Sequence, residues 1–353
     1  MTKTNLVNRR RLGAGLMALT ALSACATGNR PPAPRRNRQT ESKVALLLPL
    51  SGPRAALGQQ MAKTVWLVED LSGQRGRTQV LDAGETAGTA GAAAQKAIAQ
   101  GSNVIVGPLF RDQTPAVVKA AGQVPVISLS NDAALAQQGA WVFGVTPSQS
   151  AEAVLRYAKQ SGARRVTMLE TSGALGPRAH SALTKGARKA RVTPLPTVPS
   201  ATAPGGMRQA MMAAGGGQMP DIIYVPTSNQ KILDQAIAAV ETGVTTIGSL
   251  QWAGLPPKTL TRLDKACFVG PDPNQFNRLS ATYRSQLDEE MGVIAALAVD
   301  AVAMAQQLGG RRSLQDRSPT NGLLGPTRFR PDRTAERTLA VLRITGTGVQ
   351  RVA

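Results

Sequence analysis

The sequence predicts an α/β fold made of two lobes, each built on a parallel sheet, with a cleft between them. Three observations predict it. Short apolar runs recur about every 25 residues from Lys43 onward, and the stretches between them carry helical spacing, the signature of βαβ units and parallel pairing. The rhythm then starts a second time after Trp141-Val142-Phe143-Gly144-Val145. Finally, the roughly 310 residues beyond the N-terminal segment exceed the size at which one core keeps growing. No short fixed period accompanies the two halves, so a solenoid is excluded.

Val44-Ala45-Leu46-Leu47-Leu48 reads as a strand buried on both faces, closed by the turn Ser51-Gly52-Pro53, and Leu57, Met61, Val65 and Val68 follow at helical spacing. Gln79-Val80-Leu81, an Ala-rich helix over 87–99, Val104-Ile105-Val106, a helix from about residue 112 and Val126-Ile127-Ser128-Leu129 complete the first half. In the second half a helix is predicted over 150–161, a strand over 166–169 and a helix near 177–190. Four prolines (Pro194, Pro196, Pro199, Pro204) then interrupt the chain. A short helix near 207–213, the strand Ile222-Ile223-Tyr224-Val225, a helix over 228–241 and the strand Thr245-Thr246-Ile247 complete that sheet.

Ahead of the folded part, the chain starts basic (Lys3, Arg9, Arg10, Arg11) and turns apolar over 12–22, ending at Ala21-Leu22-Ser23-Ala24-Cys25. A thiol at the position of the new N-terminus reads as a lipoprotein signal: 1–24 removed, Cys25 acylated. The apolar run is about half of the ~20 residues that a spanning helix needs. Arg9-Arg10 leaves the twin-arginine and general export routes both open, and the lack of an Asp beside Cys25 points to the outer membrane. Residues 25–42, with Pro31, Pro32, Pro34 and Arg30, Arg35, Arg36, Arg38, have no apolar periodicity and read as a disordered basic tether.

The formal net charge is +20, and the first 43 residues carry +8 of it, which leaves +12 on the rest. Aromatic residues make up 3% of the chain, too few for base stacking, and export separates the protein from nucleic acid, so no nucleic-acid partner is expected. Anionic envelope material or an acidic protein face suits the charge better. Cys267 would be alone once Cys25 is acylated, which excludes an internal disulfide and leaves Cys267 as a small buried hydrophobe.

Catalytic and cofactor signatures are missing from the sequence. Neither a P-loop nor a G-x-G-x-x-G is present, and the single histidine, His180, has no nucleophile elbow near it. No metal site and no cofactor are expected. Ser228-Asn229-Gln230-Lys231 spells S-x-x-K, but its usual companions are absent, and Ser228 reads as the N-cap of the following helix.

The segment Lys43-Val44-Ala45-Leu46-Leu47-Leu48-Pro49-Leu50-Ser51-Gly52-Pro53 resembles the opening of type I periplasmic binding proteins of the Leu/Ile/Val class. Val104-Ile105-Val106-Gly107-Pro108-Leu109-Phe110 and Val124-Pro125-Val126-Ile127-Ser128-Leu129-Ser130 are similar to later strands of that family's first lobe. Leu-Leu-Pro-Leu-Ser-Gly together with Gly-Pro-Leu-Phe resembles more nearly one branch of that class, the penicillin-binding protein activator (LpoA-like) lipoproteins. The return segment 295–302 and the terminal 321–329 belong to the same resemblance.

The resemblance implies two Rossmann-like lobes, 43–146 with 278–323 and 147–277 with 324–353. It places a candidate cleft at Ser51, Gly52, Pro53, Gly107, Pro108, Leu109, Arg111, Ser128, Ser130, Asn131 and Asp132. Arg111 and Asp132 stand where amino-acid-binding members typically have hydroxyls. Arg111 is suited either to a ligand carboxylate or to pairing with Asp112 or Asp132. The implied function is a non-catalytic, outer-membrane-anchored periplasmic lipoprotein that binds and stimulates a class A penicillin-binding protein. The alternative is the lipid-anchored receptor of an ABC importer for amino acids or related small molecules, with a small-molecule ligand in the cleft.

Overall fold

The computed structural model describes residues 43–199, 205–307, 319–346 and 348–353. The expected signal segment, Cys25 and the tether lie outside them.

The first sheet forms from β1 (Val44–Leu48), β2 (Thr78–Asp82), β3 (Val104–Val106), β4 (Val126–Ser128) and β5 (Trp141–Val142), with α1 (Ala55–Leu71), α2 (Ala87–Ala99) and α3 (Thr114–Ala121) between them. Its order is β2-β1-β3-β4-β5 and every pairing is parallel. Alternation on each strand divides the side chains between two layers. Val44, Leu46, Leu48, Val104 and Val106 join one core with Met61 and Val65 of α1, whereas Leu47 and Ile105 join another with Ala90, Ala94 and Val117. The all-alanine inner face of α2 lets that helix lie close to the sheet. Its start is set by Thr86, which accepts from the Thr89 amide while Thr89 Oγ1 accepts from the Thr86 amide.

The second sheet takes β6 (Arg165–Met168), β7 (Thr193–Pro194), β8 (Ile222–Val225), β9 (Thr245–Gly248) and β10 (Cys267–Gly270), flanked by α4 (Pro147–Ser161), α5 (Leu175–Ala190), α6 (Gly206–Ala214), α7 (Gln230–Glu241) and α8 (Pro257–Arg262). After α9 (Pro273–Leu287) the chain returns to the first sheet as α10 (Val293–Gln306), which packs on α1, β1 and β3. This helix is apolar nearly all round, as a helix buried between layers must be. Three short strands, β11 (Thr320–Gly322), β12 (Gly325–Phe329) and β13 (Ala335–Arg337), make a separate antiparallel sheet. β14 (Ala340–Thr345) and β15 (Gly348–Arg351) then close the second sheet, whose order is β15-β14-β10-β9-β8-β6-β7. Its two antiparallel pairings are β10–β14 and β14–β15; the others are parallel.

The third sheet was not foreseen as strands. Leu324, Phe329 and Ala335 pack into the core of the first sheet, and Phe329 meets Trp141 edge to face at 5.1 Å between centroids. Leu339, two residues beyond β13, belongs instead to the core of the second sheet. The segment therefore crosses between the two cores, and it is held there by Arg337, which is only 3% exposed. Its guanidinium donates to Thr327 Oγ1 (3.0 Å), Gln149 Oε1 (3.2 Å) and the Phe143 carbonyl (3.2 Å), and it lies over the Phe143 ring at 4.6 Å. Asp300 of α10 accepts from the amides of Leu323 (2.7 Å) and Leu324 (3.0 Å), tying the start of the crossing segment to the first core.

Cys267 is buried in β10, and burial pushes its thiol up from its ordinary pKa. Among the described residues, no helix is long and apolar enough to cross a membrane.

Candidate functional site

Strands of an open parallel sheet direct their loops to one end, and the helices that follow start there; ligand sites in α/β proteins gather at that carboxyl end. Here the carboxyl ends of β3 and β4 in the first sheet and of β8 and β9 in the second line one cavity of about 530 Å³. One wall is Leu57 and Gln60 of α1, Leu109, Phe110 and Arg111 after β3, Leu129, Ser130 and Asn131 after β4, and Val293, Ile294 and Leu297 of α10. The opposite wall is Ser150 of α4, Leu175 and Ala179 of α5, Tyr224 and Pro226 of β8 and its end, and Ser249, Leu250 and Gln251 after β9, with Leu324 from the third sheet.

Of the residues expected at a cleft, Leu109, Arg111, Ser130 and Asn131 line this cavity. Gly107 and Pro108 lie buried behind them. A β-carbon on Gly107, whose φ is +100°, would sit 2.3 Å from the Leu47 carbonyl oxygen, so only glycine lets β1 and this loop approach so closely. Ser128 is also buried, its hydroxyl 3.0 Å from that of Thr114 on α3. Ser51, Gly52 and Pro53 stand apart from the cavity as an exposed turn. Acidic groups hold that turn: Asp82 bonds the Ser51 side chain and the Leu50 amide, and Glu85 accepts from the Arg54 amide.

Asp132 is 3% exposed and caps the turn that follows it, accepting from the Ala134 amide. Its Oδ2 faces two guanidiniums, Arg111 Nε at 2.5 Å and Arg178 Nη2 of α5 at 3.1 Å. Of the two pairings open to Arg111, the structure has the one with Asp132. Arg178 was not anticipated, and its contact spans from the second sheet's helix to the first sheet's loop. The three groups leave one unit of positive charge in excess at the edge of the cavity.

Among the lining residues Arg111 alone is charged, and none is Asp or Glu. Tyr224 is bonded to Ser150, and burial pushes its phenol up, so it stays neutral. The buried Ser249 hydroxyl has no hydrogen-bond partner among the described residues.

Ser228 does not cap α7. Asn229 does, its side chain accepting from the Lys231 amide at 3.0 Å. Ser228 instead donates from its hydroxyl (3.2 Å) and its amide (3.0 Å) to Gln251 Oε1, so the cavity wall, and not the helix end, sets its orientation. Serine and asparagine are comparable caps, and their order in the sequence does not discriminate between them. Among the described residues no cluster of His, Cys, Asp and Glu is arranged to hold a metal.

The family model described as periplasmic binding protein matches residues 41–348. A putative branched-chain amino acid ABC transporter protein from Rhodospirillum rubrum has the same fold, with a TM-score of 0.70 at 17% identity, covering 88% of this chain and 100% of that one. The C-domain of LpoA from Haemophilus influenzae, described as a regulator of PBP1A, superposes with a TM-score of 0.65 at 16% identity, covering 88% of this chain and 100% of that one. A leucine-binding protein from Thermotoga maritima gives 0.61 at 16% identity, over 88% of this chain and 98% of that one. At such identities the likeness is one of fold. An uncharacterised protein of Rickettsia prowazekii (strain Madrid E) is 26% identical over 125 residues, 35% of this chain. The match spans 33% of that relative's length.

Proposed function

The chain belongs to the periplasmic binding protein family, and we propose that within it the protein is a non-catalytic, outer-membrane-anchored lipoprotein that binds and stimulates a class A penicillin-binding protein in peptidoglycan synthesis. The observation that carries this reading is the ion cluster Arg111–Asp132–Arg178 at the cleft. Its Arg111 and Asp132 occupy the positions of the hydroxyls that the Leu/Ile/Val-class resemblance implies for amino-acid binding, and the cavity lining offers no carboxylate to an ammonium. An unpaired ammonium brought into such a site loses its hydration without compensation. The fold shared with the LpoA C-domain supports the same reading. A second reading, the lipid-anchored receptor of an ABC importer, is favoured by the size of the cavity, about 530 Å³, which is within the range of small-molecule sites.

The direct experiment adds the purified lipidated protein to the cognate class A penicillin-binding protein and its lipid-linked precursor. Glycan polymerisation or cross-linking is expected to rise. Ser228→Ala is expected to leave the stimulation intact, because Ser228 bonds Gln251 and is no nucleophile. Absence of stimulation, or activity of this chain alone that vanishes in Ser228→Ala, would sink the reading.

Anchoring is tested separately. Cys25→Ser is expected to abolish incorporation of a fatty-acid analogue and to release the protein from membranes, since acyl chains are the anchor. Equal label on both proteins would remove the lipoprotein assignment and leave the family membership as it is.

A further inference from the structure

We infer that the amino end of the second sheet, at its β6–β7 edge, is a docking surface for an acidic segment of a partner protein. This face is remote from the cleft, and its role does not depend on the partner being a penicillin-binding protein.

The positive charge is unevenly spread along the chain. Residues 153–220 hold ten Lys and Arg against one Asp or Glu, a net of +9, so most of the +12 beyond residue 43 falls in this one stretch. The fold gathers it further. A helix that leads into a strand of a parallel sheet ends at the sheet's amino edge, so α4 and α5, which pack together, both end beside the starts of β6 and β7. Lys159 stands in the last turn of α4, Arg188 and Lys189 in the last turn of α5, and Lys185 one turn earlier. Because α5 buries Gly176, Ala179, Leu183 and Ala187, its cations project from the opposite, exposed side. Arg164 and Arg191 join them at the same edge, where the Thr193 amide donates to the Arg164 carbonyl at 2.7 Å. All six are exposed, and none forms an ion pair among the described residues. Asp221, at the start of β8, turns its Oδ2 to the backbone amides of Arg164 (2.7 Å) and Arg165 (2.9 Å).

The helix dipole favours a cation in a last turn, which accounts for Lys159, Arg188 and Lys189 one at a time. It does not account for Lys185, for Arg164 and Arg191 beyond the helix ends, or for the grouping of all six. Lys185 repels Arg188 and Lys189 at i,i+3 and i,i+4 spacing. Arg191 also takes the left-handed cap position of α5, with φ at +57°, where glycine carries no steric penalty.

The character of the surface selects the occupant. Among the described residues the exposed large apolar side chains are Trp66, Leu71, Met212 and Val349, and none lies on α4, α5 or the turns after them. The patch therefore has nothing to insert among acyl chains or to stack on a base. Its placement also turns it from the membrane to which the lipoprotein reading ties the chain. That chain enters the fold at Lys43, at the amino end of β1, and the carboxyl ends of both sheets line the cavity, so the two amino ends lie on opposite sides of it. Carboxylates on an extended segment suit the spacing, since helix neighbours at i,i+3 and i,i+4 are about 5–6 Å apart and same-side residues of a strand about 7 Å.

The test is fluorescence anisotropy of a labelled peptide of alternating Glu and Ser, titrated with the full-chain protein in phosphatidylcholine nanodiscs. The expected result is saturable binding that weakens by about tenfold or more when salt rises from about 0.05 M to about 0.3 M, because exposed charges are screened. Lys185→Glu/Arg188→Glu/Lys189→Glu is expected to weaken the peptide by about tenfold or more. Lys185→Gln/Arg188→Gln/Lys189→Gln, which places no anion at the helix C-terminus, is the second variant and is expected to weaken it by about fivefold. The same charge change at the amino end of the first sheet, Lys43→Glu/Lys96→Glu/Lys119→Glu, is the control and should stay within about twofold of the parent. Circular dichroism checks that each variant is folded. Absence of peptide binding, equal losses in the patch and control variants, or sedimentation of the protein with phosphatidylglycerol vesicles where the peptide does not bind would each overturn the inference.

Discussion

Arg337→Met is expected to lower the free energy of unfolding by about 3–5 kcal/mol, the usual result of removing one partner from a buried charged network. Methionine replaces much of the hydrocarbon but none of the donors. Thr327, Gln149 and the Phe143 carbonyl each lose a hydrogen bond, and the positive charge that acts on the Asp300 carboxylate is gone. Urea denaturation measures the loss, and a change below about 1 kcal/mol, little more than a surface substitution costs, would show that the network contributes little.

The pH dependence separates the charge from the packing. Burial pushes the Asp300 carboxyl up to about 6, against the opposing pull of the Leu324 amide, Arg337 and the Leu323 amide. An unfolded aspartate titrates at about 3.9, so between roughly pH 4 and 6 the native state holds a proton that the unfolded state has released. The contribution of Asp300 is thus most favourable below that unfolded value and declines as pH rises toward 6. Asp300→Asn is expected to remove this decline from the stability profile, and Arg337→Met to extend it to higher pH. Parallel profiles for the three proteins from pH 4 to 7 would refute the assignment.

Trp252→Ala is expected to cost about 3–5 kcal/mol, the range for emptying a fully buried large aromatic site. Trp252 is 0% exposed and donates from Nε1 to the Thr227 carbonyl at 2.9 Å. Its ring lies on Gly248 so closely that a β-carbon there would come within 1.9 Å of it. The short turn it anchors, Leu250–Gly254, carries Leu250 and Gln251 of the cavity wall, so the substitution should loosen the cleft as well as the core. Leu71→Ala, at a side chain 57% exposed, is the control and should remain within about 0.5 kcal/mol of the parent. Hydrogen exchange over 249–254 would report the local part, and unchanged protection there would refute the anchoring role.

The two substitutions fall at positions of very different legibility. Val44–Leu48, Val104–Val106 and Ile222–Val225 were readable as strands because burial on both faces makes every residue of a short run apolar, a property of consecutive positions. The helix at Ala87–Ala99 was likewise readable to the residue, since its small inner face and its Thr86 start are local. β12 and β13 were not, because Gly-Pro-Thr-Arg-Phe and Ala-Glu-Arg are short and acquire their strand pairing from one another and, for β12, from β11. Arg337 looks like a surface residue in sequence, and nothing in its neighbours announces that Phe143 and Gln149, nearly two hundred residues away, will enclose it.

The same division runs through the cleft. Its location was implied by the family resemblance, in keeping with the rule that open α/β sheets gather ligand sites at strand carboxyl ends, and Leu109, Arg111, Ser130 and Asn131 line the cavity there. Ser51–Pro53 satisfied the same rule but were drawn aside by Asp82 and Glu85, whose carboxylates bind the turn's backbone and side chains. Arg178 was invisible because its partner Asp132 lies on the other wall, brought near only when the two sheets meet. Fold class is encoded in periodicity, which each segment expresses alone, and the rough address of the site came from the family resemblance carried by a few local motifs. The charge balance of the cleft depends on which side chains from distant segments come within a few ångströms, and packing alone sets those distances.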